Sequence, residues 1–130
     1  MQHIDPSAAH ACLQADPQAL LVDCRTELEF MYVGHPVGAE HIAWQEAPEW
    51  EIDPHFVAKV KQLAGGDVAR PILLICRSGQ RSVDAGIALE QAGFTRVINV
   101  LEGFEGSLDD NYHRSTLGGW RYRGLPWQQC

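Results

Sequence analysis

The segment Cys76-Arg77-Ser78-Gly79-Gln80-Arg81-Ser82 holds the residue types best suited to chemistry in this chain. A cysteine thiolate is a strong nucleophile, and neighbouring positive charge favours the thiolate over the thiol. Arg77 and Arg81 supply two such charges, and no carboxylate lies within the loop. Gly79 permits a tight backbone path that turns N–H groups inward, toward an anion. Ser78 and Ser82 add hydroxyl groups that serve equally as donors into a site or as turn and capping residues. The plain alternative is a buried cysteine that merely ends a strand. Two arginines and a Gly-containing turn beside it argue for a nucleophile acting on an anionic substrate.

The other cysteines lack this setting. Cys12 falls in an apolar helical stripe, Cys24 at a strand end and Cys130 at the terminus. No pair has C-x-x-C spacing, and the chain is long enough to need no disulfide framework. His35 and His41 lie six apart, which is not a helical ligand pair, so neither a metal nor another cofactor is expected.

A nucleophile of this kind must be held by a strand that delivers it and a helix that receives it. Pro71 to Ile75 reads as a buried strand entering the loop. Ser82 to Gln91 reads as a helix leaving it, with Val83, Gly86, Ile87 and Leu89 inward and Gly93 as its stop. Cys76 then sits at a helix N-terminus, where free N–H groups and the dipole favour negative charge. In open α/β sheets, ligands bind at the carboxyl ends of the strands, which is where this loop falls.

The rest of the chain alternates strand and helix signals, which predicts an α/β domain with a largely parallel sheet. Asp5-Pro6 predicts an N-cap with proline in the first helical turn. Ala19 to Asp23 reads as a strand, Thr26 to Met31 as a short helix, Gly34 to Ala39 as a loop and His41 to Trp44 as a strand. Asp53-Pro54 predicts a second capped helix, ended by Gly65-Gly66. Arg96 to Val100 reads as an alternating strand. Glu105 to Gly118 is a polar excursion, long for a compact domain, and Trp120 to Trp127 closes the fold.

Composition bounds the function. Hydrophobic residues at 45% and charged residues at 21% are close to globular averages, which predicts one folded domain over residues 1–130. The net charge of −7, from 10 Lys+Arg against 17 Asp+Glu, repels phosphate backbones and argues against nucleic acid as a partner. The strongest apolar run, Ile72 to Cys76, is far short of the ~18 residues that would span a membrane. The first residues carry no basic start or apolar stretch, so the expected location is the cytoplasm.

Cys76 through Ser82 resembles the active-site loop of the rhodanese sulfurtransferases. Leu21-Val22-Asp23-Cys24-Arg25, with Glu29-Phe30 after it, is similar to that family's first signature. Gly34 to Ile42 resembles the second, with its proline one place early. Val100-Leu101-Glu102-Gly103-Phe104, Gly119-Trp120 and Gly124-Leu125-Pro126 resemble the closing segment. The excursion at about 105–118 is a further departure. The resemblance implies a three-layer rhodanese-like fold and a persulfide on Cys76. The sulfur would come from thiosulfate or a related donor and pass to cyanide, a small thiol or a protein thiol. On charge, Arg77 and Arg81 are expected to hold the anionic end of the donor, while backbone N–H groups from Arg77 through Ser78, Gly79, Gln80 and Arg81 to Ser82 cradle the persulfide. Arg25, just past a strand end, is expected to reach the substrate, against the alternative of a salt bridge with Asp23 or Glu29.

Two other readings use the same residues. Cysteine phosphatases and arsenate reductases resemble a pattern with five residues between cysteine and arginine, whereas four separate Cys76 from Arg81. A sulfur-relay module would use the same persulfide but deliver only to a protein partner. The excursion at 105–118 leaves a strand at the edge where Cys76 stands, so it is either a solvated detour or a wall of the pocket. In the second case Asp109, Asp110 and Arg114 would screen incoming anions.

Overall fold

A computed structural model describes residues 1–130. Its strands are β1 (Gln2–Ile4), β2 (Leu20–Asp23), β3 (His35–Pro36), β4 (Glu40–His41), β5 (Ile72–Ile75), β6 (Val97–Val100) and β7 (Trp127–Gln128). The helices are α1 (Pro6–Ala15), α2 (Phe56–Leu63) and α3 (Arg81–Gln91), with a π-helical turn at Glu29–Val33. Five strands form one sheet in the order β1-β6-β5-β2-β4, and every pairing in it is parallel. β3 and β7 make a separate antiparallel ribbon.

Side chains alternate across the strands, so each of the two faces needs its own cover. On one face Val22, Ile72, Leu74 and Val97 pack against Phe56 and Val60 of α2 and Ala85 and Leu89 of α3. On the other, Leu21, Leu73, Ile75, Ile98 and Val100 pack against Ala9 of α1 with Phe104 and Trp120. This is the expected three-layer α/β architecture. No helix is long and apolar enough to cross a membrane.

Several local readings are corrected. β1 is absent from the sequence reading because Gln2 and His3 are polar and exposed on an edge, which leaves no apolar signature. Within 34–39, His35 and Pro36 pair with Gln128 and Trp127 rather than forming loop throughout. The second helix starts at Phe56, and Asp53 instead accepts from the His55 N–H in the turn before it. In α3 the buried stripe is Ser82, Ala85, Gly86 and Leu89, at helical spacing, while Ile87 is exposed. β6 does not alternate in burial, since it lies inside the sheet with both faces covered and even Asn99 is buried. The Asp5 cap holds: its carboxylate accepts from the Ala8 N–H at 2.8 Å.

The parallel β5–β6 pairing puts the segment after β6 at the same edge as the loop after β5. The two are bound together. Phe104 N–H donates to the Cys76 carbonyl at 2.8 Å, and Glu105 N–H to the Arg77 carbonyl at 2.9 Å. Gly103 lies so close that a Cβ would collide with the Cys76 carbonyl oxygen and the Arg77 backbone, and its φ of 62° is itself unfavourable for other residues.

Candidate active site

Cys76 leaves the end of β5 and its Sγ stands at the floor of a cavity of about 670 Å³. That volume falls in the usual ~300–1,000 Å³ range of small-molecule sites. The walls come from four stretches of chain: Thr26 and Glu29; Ala47 and Trp50; Arg77, Ser78, Gln80 and Arg81; and Glu105 with Arg114. The 105–118 excursion is therefore a wall of this cavity. Arg114 is fixed there by donating to the Gly106 carbonyl at 2.7 Å.

The loop bends back over the sulfur. The Gly79 N–H donates to Cys76 Sγ at 3.1 Å, and Gly79 has a φ of 103°, open to glycine and strained for other residues. Ser82 Oγ lies 3.2 Å from Sγ on the buried side. Gly79 and Ser82 thus face the sulfur, while Arg77, Ser78, Gln80 and Arg81 face the cavity.

The arginines differ in what they are free to do. Arg81 makes a bidentate pair with Glu29, at 2.8 and 2.9 Å. Burial acts to raise the Glu29 carboxyl, but the Arg81 hydrogen bonds and charge outweigh it and hold it at about 2. Burial likewise acts to lower Arg81, and Glu29 first, then Cys76 and Cys24, raise it above its ordinary value. Glu29 cancels much of the charge that Arg81 presents to the cavity, a partner that sequence reasoning did not assign. Its signal was only a carboxylate 52 residues upstream, brought near by the β2–β5 pairing.

For Arg25 the structure shows the salt-bridge alternative, with Asp23 as the partner. Its side chain is 0% exposed and contributes nothing to the cavity wall. Nε and Nη2 bind the Asp23 carboxylate, Nη2 also donates to the Gly34 carbonyl, and the guanidinium lies 4.6 Å from the Phe104 ring centre. The Asp23 acceptor two residues away wins over the cavity because a buried guanidinium needs a counter-charge.

Cys24 lies beside Cys76, since Asp23 and Ile75 are register partners and Cys24 N–H donates to the Ile75 carbonyl at 3.0 Å. Burial first, then the neighbouring Cys76 and Asp23, push the Cys24 thiol well up. It is a neutral core thiol. All four cysteines are free.

The rhodanese-like domain family model matches residues 6–109. A Haemophilus influenzae protein named thiosulfate sulfurtransferase GlpE is 30% identical over 105 residues, covering 81% of this chain and 86% of its own. An uncharacterized protein of Rickettsia conorii is 29% identical over 131 residues, with 98% of each chain covered. The crystal structure of Rv0390 from M. tuberculosis is 36% identical, with a TM-score of 0.88 over 100% of this chain and 98% of that one.

Proposed function

This chain belongs to the rhodanese-like domain family, and we propose that within it the protein is a sulfurtransferase working through a persulfide on Cys76. The carrying observation is the sulfur's position: at the floor of a cavity walled by Arg77, Arg81 and Arg114, with the Gly79 N–H on Sγ. An N–H aimed at a sulfur stabilises negative charge there, in the thiolate and again in the persulfide anion.

The chemistry balances without a cofactor. The Cys76 thiolate attacks the outer sulfur of thiosulfate. A new S–S bond forms, the old one breaks, and its electron pair leaves with sulfite. Cyanide or a thiolate then attacks the outer sulfur of the persulfide and returns the Cys76 thiolate. This is two-step covalent transfer. Sulfite leaves as a stable anion, so no general acid is needed, in keeping with a site that places no histidine on the wall.

Arg77 and Arg114 are the anion ligands of this reading, because neither has a carboxylate partner among the ion pairs of the structure. Arg81 contributes after the donor competes with Glu29 for it. The cavity exceeds what one small anion fills, which supports entry of an acceptor thiol beside the persulfide.

Intact-mass measurement after thiosulfate treatment tests the proposal. The expected result is a gain of one sulfur atom on the wild type and none on Cys76→Ser. A gain that survives Cys76→Ser would reject Cys76 as the carrier.

A further inference from the structure

A polar chain runs from the Cys76 sulfur across β6 to the edge strand β1. Cys76 Sγ lies 3.2 Å from Ser82 Oγ. Ser82 Oγ lies 2.5 Å from Asn99 Oδ1, and Asn99 Nδ2 lies 3.1 Å from His3 Nδ1. Ser82 and Asn99 are buried at 0% and 1% exposure, and His3 is exposed on β1. Asn99 is the one polar side chain in β6, a strand buried on both faces. An amide there costs free energy unless its hydrogen bonds are met, so its partners fix its orientation.

The donors can be assigned. A separation of 2.5 Å suits O–H···O and is too short for N–H···O, so Ser82 donates and Asn99 Oδ1 accepts. An amide nitrogen only donates, so His3 Nδ1 accepts from Nδ2. The Ser82 proton is thereby committed away from the sulfur, and a lone pair of Oγ faces Sγ. A neutral Cys76 thiol fits this arrangement by donating S–H to Oγ. A thiolate, which the Gly79 N–H favours, is opposed from this side, because two lone pairs then meet at 3.2 Å.

We infer that Asn99, held by His3, is a positioning residue that points the Ser82 hydroxyl away from Cys76 and so holds the resting sulfur as the thiol. Thiolate formation requires the hydroxyl to swing to Sγ and the Asn99 contact to open. The inference rests on Cys76 as the reactive thiol and adds how its ionisation is controlled. Other charged groups facing the sulfur are Arg81 with Glu29 from α3 and the π-turn, and Arg77, Glu105 and Arg114 from the loops. Cys24 adds the adjacent neutral thiol. None of them contacts Asn99 by hydrogen bond, so a change at Asn99 reads the chain alone.

The test monitors Cys76 alkylation by iodoacetamide, by peptide mass spectrometry, in wild type, Asn99→Leu, Ser82→Ala and the double variant. Leucine suits the apolar surroundings of β6 and removes the acceptor, freeing the Ser82 proton for the thiolate. The expected rate at pH near 7 rises about threefold to tenfold in Asn99→Leu, the scale of one redirected charge-assisted bond. The rate near pH 10, where free thiols are ionised, stays at the wild-type value. In the Ser82→Ala background, Asn99→Leu changes neither rate. Equal increments in both backgrounds, or no increment with Ser82 present, overturn the inference. His3→Phe is a second route through an exposed position that spares the core. It is expected to give a rise of about twofold that also vanishes with Ser82→Ala, and a His3→Phe rise that persists there counts against the chain. Persulfide formation from thiosulfate, read in the same samples, judges the sulfurtransferase reading separately.

Discussion

Two adjacent strands of this protein end in closely similar sequences: β2 runs into Cys24-Arg25-Thr26 and β5 into Cys76-Arg77-Ser78. Their last residues are register partners, so the two cysteines stand side by side. Both are buried, but only Cys76 lines the cavity. The difference lies in the residues that flank each Cys-Arg pair. Asp23 gives Arg25 an acceptor two residues away, and Phe104 covers the pair, so the β2 end closes into a buried knot. Ile75 gives Arg77 nothing to bind, and Gly79 turns an N–H back onto Sγ, so the β5 end opens into the cavity. A Cys-Arg dipeptide therefore carries no role by itself. A counter-charge within reach decides whether the arginine serves the fold or the ligand.

Removing each thiol in turn challenges this contrast most severely. Cys76→Ala is expected to lower thiosulfate:cyanide transfer by about a hundredfold or more, since no other group replaces the sulfur carrier. Cys24→Ala is expected to keep at least half the activity and to lose about 1–2 kcal/mol of stability, the small-cavity scale. Steady-state assays and urea titrations of both variants decide it. Equal loss of transfer in the two would erase the distinction.

The arginines give the next effect. Arg25→Ala leaves Asp23 as a buried, unpaired charge, which costs about 3–5 kcal/mol and shows as a lowered denaturation midpoint. Arg77→Ala is expected to leave that midpoint within about 0.5 kcal/mol and to raise the thiosulfate KM about tenfold. A raised KM without lost stability in Arg25→Ala would return it to the substrate site.

Glu29 refines the contrast, because it treats Arg81 as Asp23 treats Arg25, but at the cavity wall. Glu29→Gln frees the guanidinium and is expected to lower the thiosulfate KM about threefold. The sign of its pH effect is set by the lowered Glu29 value of about 2. A carboxyl depressed on folding stabilises above its unfolded value near 4.3 and loses that stabilisation as pH falls toward its folded value. The melting gap between wild type and Glu29→Gln is therefore expected to be constant above about pH 5.5 and to close towards pH 2. A gap that widens on acidification would contradict the ion pair.

The smallest effect concerns the wall from the 105–118 excursion. Replacing Ser107 to Leu117 by a short Gly-Ser link removes Arg114 from the cavity. Persulfide formation is expected to change by less than about threefold. Relative rates with cyanide, glutathione and dithiothreitol should shift by more than that. Identical ratios would leave Arg114 as a purely structural wall.

Local sequence was enough to specify the α/β class and the strand-loop-helix unit around Cys76. The signals are short-range: an apolar run, a glycine needed for positive φ, two charges within five residues and helical spacing behind them. The capped start of α1 was legible for the same reason. Only the assembled sheet fixed which arginines line the cavity, that Glu29 opposes Arg81, that Glu105 and Arg114 wall the cavity, and that Asn99 joins Ser82 to His3. Each of these pairs residues far apart in the chain, and parallel crossovers bring them together only when the sheet forms. Burial inverted two readings, Arg25 and the alternation of β6. A charged or polar side chain is read as exposed until its neighbours are known, and here the second face of the sheet supplied a cover and a partner.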